Sequence, residues 1–173
     1  MKIMALRGLE SVKIDQDKIL LAAAYFIKKN QEENKGLSPL KLQKLLYYTK
    51  AWDLVFNGNK SIFPDTFQAW VHGPANLKVY EAFKSFDFRA PHPESLEINF
   101  DLFSKKEKEV LDKVWEIYGN FDGKYLEQLT HEEEPWIKAR NGLHGAIPSQ
   151  NEISEDSMKI FYERRLKEAA GTA

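Results

Sequence analysis

The sequence predicts a mostly α (α+β) fold: one helical domain with a small two- or three-stranded antiparallel β-hairpin inserted between helices. Three observations predict it. Apolar residues recur at helical spacing over most of the 173 residues. Capping residues stand just ahead of several of these runs: Ser38 before Pro39, Ser104 three residues ahead of Glu107, and Ser154. One stretch, residues 59–74, is instead short, β-branched and aromatic, and is broken by Pro64-Asp65.

A first helix is expected from Asp15 or Asp17 to Glu33, with Ile19, Leu20, Ala23, Ala24, Phe26 and Ile27 at helical spacing and "NKG" as its stop. A second starts at "SPL" and ends at Asn57-Gly58. Leu42, Leu45, Tyr48, Trp52 and Val55 form one apolar stripe on it, and Leu46, Tyr47, Ala51 and Leu54 extend it so far that the helix must be covered on several sides. A short strand near Ile62 and another over Thr66–Val71 follow, ended by Gly73-Pro74. "ANLKVYEAFKSF" reads as a helix with Leu77, Tyr80, Ala82 and Phe83 on its apolar side. The main irregular segment, "DFRAPHPESLEINFD", comes next.

The S-x-x-E pair Ser104 and Glu107 opens a strong helix carrying Val110, Leu111, Val114, Trp115, Ile117 and Tyr118, which ends by Gly119. "DGKYLEQLTHEEEPWIKARNG" reads as two short helices joined at Thr130-His131, the second started by Pro135. Ser154 caps a last amphipathic helix with Met158, Phe161, Tyr162 and Leu166. The expected organisation is an N-terminal extension over 1–14, one domain over 15–168 and a C-terminal tail over 169–173.

Composition excludes several function classes. Net charge is −1 and lysines and glutamates are interspersed, so no basic stripe supports direct nucleic-acid binding. The absence of cysteine rules out disulfides, thiolate metal sites and Cys nucleophiles. No apolar run suits a signal peptide or a membrane span, so a soluble, cytoplasmic protein is expected.

Catalytic signatures are missing too. There is no G-x-S-x-G elbow and no phosphate-binding glycine loop; Gly36, Gly58, Gly73, Gly119, Gly123 and Gly142 read as helix or strand stops. "HEEEP" lacks the second histidine of H-E-x-x-H, and His72, His92, His131 and His144 are spread over distant segments, so neither metal nor cofactor is expected. Glu132, Glu133 and Glu134 ahead of Pro135 suit a helix N-terminus exposed to solvent. "WVHGPANLKVY", residues 70–80, reads as a strand-to-helix corner packed by Trp70 and Tyr80, with His72 able to donate to a backbone carbonyl.

Three blocks carry a resemblance: "LSPLKLQKLLYYTKAWDLVFNG", then "FQAWVHGPANLKVY", then "LEQLTHEEEPWIKAR". In this order they resemble the Panacea domain of SocA-like antitoxins, phage-associated proteins of toxin–antitoxin systems, over roughly residues 19–161. Ala75 and Asn76-Leu77 differ from the family's usual residues after Gly-Pro. The resemblance implies a non-enzymatic antitoxin that binds a cognate toxin encoded by a neighbouring gene. Trp70, His72, Gly73, Pro74, Tyr80, His131 and Trp136, with the "RAPHPES" loop, are the partner-binding candidates it implies. The alternatives are a phage-associated adaptor that binds host machinery and a hydrolase using His72 or His131 with a nearby Glu.

Overall fold

Asp17 starts the first helix. The computed structural model describes residues 16–58, 60–89 and 99–171, and there the Asp17 carboxylate accepts from Leu20 N at 3.3 Å. The helix α1 spans Lys18–Glu33 and closes at Asn34, whose φ of 49° lies in the left-handed region that asparagine tolerates. Ser38 Oγ accepts from Lys41 N at 3.2 Å and Pro39 occupies the first position of α2, Pro39–Phe56.

Around α2 the remaining elements assemble: α3, Leu77–Phe83; α4, Lys105–Tyr118; α5, Gly123–His131; α6, Glu134–Arg140; and α7, Glu155–Ala169. α2 packs against α1, α3, α4, α5 and α7. Its aromatic face is continuous: Tyr48 stacks on Tyr118 at 4.0 Å, and Trp52 Nε1 donates to Tyr118 Oη at 2.9 Å. The capping box at Ser104 and Glu107 is complete.

Covering α2 on all sides buries polar groups as well. Lys41, Lys44 and Lys50 are each no more than 2% exposed, so each ammonium must find an acceptor inside the protein. Lys41 Nζ donates to Gly36 O and Gly119 O, both at 2.6 Å. Lys50 Nζ pairs with Glu155 at 2.8 Å and donates to Asp65 O. Lys44 Nζ donates to Pro74 O at 3.1 Å.

The sheet has the order β2-β1-β3 and is antiparallel throughout. β1, Phe67–Trp70, and β2, Gly73–Ala75, form the hairpin between α2 and α3; β3, Glu152–Ile153, arrives from the stretch between α6 and α7. Register pairs Ala69 with Pro74 and Phe67 with Ile153. Pro74 is accommodated because β2 is an edge strand, where a missing N–H is tolerated.

Several expectations are corrected. No strand forms near Ile62, which is buried in irregular chain instead. Gly73-Pro74 does not end the sheet but begins β2, and the turn is Val71-His72. Gly123 is no stop: it opens α5, where an added Cβ would lie 3.0 Å from Lys41 N. Leu77 and Tyr80 are half exposed, and Val79 with Phe83 forms the buried side of α3. Ile117 and Leu166 likewise face out. His92 and most of the "RAPHPES" loop lie outside the described residues.

Candidate functional site

The β1–β2 hairpin, the N-terminal half of α2 and α3 enclose a groove of about 430 Å³. Its apolar wall is made by Leu42, Ala75, Val79 and Phe83, with Trp70 and Tyr80 at the hairpin side. The two rings meet edge to face at 5.5 Å, a favourable aromatic geometry. Trp70 is oriented by its own strand, because Nε1 donates to Gln68 Oε1 at 2.7 Å. The side chain of Gln43 is fully engaged, accepting from Asn76 N at 2.9 Å and donating to Asn76 O at 3.0 Å. Asn76 in turn caps α3.

Gly73 is the structural pivot. Its φ of +94° belongs to glycine, and a Cβ there would lie 2.7 Å from Lys44 Cε and 2.8 Å from Thr130 Oγ1. The hairpin therefore presses onto α2 and α5 through a residue with no side chain.

Of the seven candidates, Trp70, His72, Gly73 and Tyr80 line the groove. Pro74 stands directly behind it, buried, with its carbonyl on Lys44. His131 and Trp136 sit one layer further back. Their rings stack at 4.2 Å, and Trp136 Nε1 donates to Trp70 O at 2.9 Å. Trp136 is 8% exposed, so it braces the hairpin from beneath. Burial lowers the His131 pKa, so its ring stays neutral to lower pH than an ordinary histidine.

His72 points to a carboxylate, not to the expected carbonyl. Its Nδ1 lies 2.8 Å from Glu127 Oε1, and Lys124 Nζ reaches Glu127 Oε2 at 3.2 Å. Burial raises the Glu127 carboxyl, but the hydrogen bonds from His72 and Lys124 outweigh it and the net shift is downward. This is the His–Glu contact that a hydrolase would require. The imidazole side chain is 68% exposed, and the pair by itself supplies neither a nucleophile nor a means of holding substrate. Among the described residues no group of three His, Asp or Glu side chains is placed to hold a metal ion, and no helix is long and apolar enough to cross a membrane.

A second constellation has no local signal in the sequence. Glu133, expected in solvent at a helix N-terminus, turns inward as the residue preceding α6 and accepts from Tyr162 Oη and from Tyr48 Oη at 3.2 Å. Burial pushes its carboxyl up to about 7, against the lowering pull of the two tyrosines and Arg165. A protonated carboxyl is thus preferred in the folded state between about pH 4.5 and 7, and stability falls as pH rises through that window. Glu133→Gln removes the effect. We expect the stability difference between the variant and the parent to shift in the variant's favour by about 2–3 kcal/mol from pH 4.5 to 7.5, read by urea unfolding. An unchanged difference means the carboxylate is solvated.

A family model described as antitoxin SocA-like, Panacea domain, matches residues 42–137, more than half of the chain. The match starts in α2, runs through the hairpin and α3 to α5, and ends within α6. It contains all seven candidate residues. No curated protein and no solved structure matches the chain.

Proposed function

Because the chain belongs to the SocA-like antitoxin family with its Panacea domain, we propose that it neutralises a cognate toxin, encoded by a neighbouring gene, by direct protein–protein binding and without catalysis of its own. The family match over residues 42–137 is the observation that carries this reading. In this reading the chain acts in the cytoplasm, and the groove face is the toxin-binding surface. Tyr80 and His72 stand exposed at its edge, Trp70 is half-buried beside them, and tyrosine and tryptophan are the residue types that most often anchor protein interfaces. Gly73, Pro74, His131 and Trp136 hold that face in shape.

Neutralisation demands tight binding, on the order of nanomolar or about −12 kcal/mol. The test is growth of cells expressing the neighbouring gene with and without this chain, followed by affinity purification. Rescue with co-purification is expected. A neighbour that is harmless alone, or toxic regardless of this chain, would sink the reading. Rescue without co-purification would remove direct binding from it.

A further inference from the structure

Three lysines of α2 are buried, and they differ in one respect. Lys41 has its backbone carbonyls at 2.6 Å, and Lys50 has a carboxylate and a carbonyl. Lys44, which has three N–H donors to satisfy, meets one carbonyl, Pro74 O, at 3.1 Å. It is 1% exposed, and it is also the buried lysine that lines the groove. Glu127, the carboxylate that acts on it through space, is occupied by His72 and Lys124. Burial pulls the Lys44 amine down to about 7, as expected for an ammonium with too few partners.

Among the described residues, the other charged side chains that line the groove, Lys84 and Lys124, are also cationic. Each pairs at the surface with a carboxylate on its own helix or helix end, Glu81 and Glu127. The groove therefore combines apolar walls, a basic rim and one under-partnered ammonium. Tyr80, which lines the groove, is half exposed, as is Leu77 on the same helix.

We propose that this groove takes an acidic side chain, Asp or Glu, presented between apolar residues by a segment of the partner protein, with Lys44 as its counter-ion. The proposal rests on the binding role given above and names the chemistry of what is bound. Folding has already stripped water from Lys44, so its desolvation cost does not recur when a carboxylate arrives and holds the amine in its protonated form. The apolar neighbours of the acid would cover Leu42, Val79 and Phe83, and Tyr80 would close over them from the rim.

A test that needs no knowledge of the toxin is panning of random heptapeptides, displayed on phage without a free C-terminus, on the full chain and on its Lys44→Met variant. The enriched sequences are expected to carry Asp or Glu flanked by apolar residues, and to be lost on the variant. The best of them, made as an amidated fluorescent peptide, should bind at least about tenfold more weakly after either Lys44→Met or exchange of its acid for the amide. Both changes together should cost little more than one. Thermal unfolding checks that the variant is folded; if it is not, Tyr80→Ala, at the exposed rim, replaces it and should weaken the same peptide.

No enrichment, enrichment of sequences without an acid, or equal retention by Lys44→Met overturns the proposal. Toxin rescue that survives Lys44→Met overturns it while leaving the antitoxin reading in place. Lys44-dependent acidic peptides without any rescue by this chain do the reverse.

Discussion

Gly73→Val is expected to cost about 3–5 kcal/mol of stability, measured by urea unfolding, and to abolish rescue at the growth temperature. Two independent penalties add. Gly73 sits at φ +94°, which a β-branched residue reaches only with about 1–3 kcal/mol of strain. Its Cβ would also overlap Lys44 Cε at 2.7 Å and Thr130 Oγ1 at 2.8 Å, and forcing atoms into a packed interior costs about 1–3 kcal/mol more. Lys44 cannot swing clear, because it is enclosed and its ammonium is tied to Pro74 O. Thr130 is equally fixed, since its Oγ1 donates to Glu127 O at 2.8 Å. Gly73→Ala carries the same overlap with less conformational strain and should fall between the two. A loss below about 1 kcal/mol for the valine variant would show that the hairpin lifts off α2 at little cost.

The helices were legible because their signals are local. Asp17, Ser38, Ser104 and Ser154 cap the helices expected of them, and each cap acts within three residues of itself. β3 was not legible, since two residues paired to Phe67 and Gln68 across more than eighty positions leave no local pattern. Gly73-Pro74 misled for a related reason: the pair reads as a stop, yet an edge strand can hold a proline and a turn can take its positive φ one residue late.

The candidate site was legible in its aromatic and glycine residues and illegible in its charges. Lysine is rarely buried, so nothing in "LKLQKLLYYTK" singles out Lys44. The available signal was indirect. A helix apolar on several sides must be covered everywhere, and its lysines must then be covered with it. Glu133 is illegible in the same way, because three consecutive glutamates look solvated until Tyr48 and Tyr162, far apart in sequence, close over the middle one. Burial also changes what the resemblance-derived residues do. His131 and Trp136 share a sequence block with the groove's neighbours, but the structure stacks them together as a brace behind Trp70.

Arg140→Ala should be costlier than any surface change in this protein, about 2–4 kcal/mol, and its effect should reach the groove. Arg140 ends α6 with 2% exposure, and its guanidinium lies over the Trp136 ring at 4.9 Å. Nη1 donates to Ala69 O at 2.9 Å; Nη2 donates to His144 O at 2.8 Å, to Gly145 O and to Ile147 O. Ala69 N is already met by Asn151 O, where the chain joins β3, so Arg140 completes the same side of β1 where β3 stops. Truncation leaves the buried Ala69 carbonyl without its donor, a loss of about 1–3 kcal/mol, and it removes the clamp on the exposed 144–147 turn, whose carbonyls turn to water. Arg140→Lys keeps the charge but not the planar fork, and should recover less than half of the loss. Because Trp136 holds Trp70 O from the same layer, loosening the clamp should let the hairpin move. Peptide or toxin binding should therefore weaken even at temperatures where the variant remains folded. A loss under about 1 kcal/mol would mean that water replaces the guanidinium at those carbonyls, and that the groove's shape does not depend on α6.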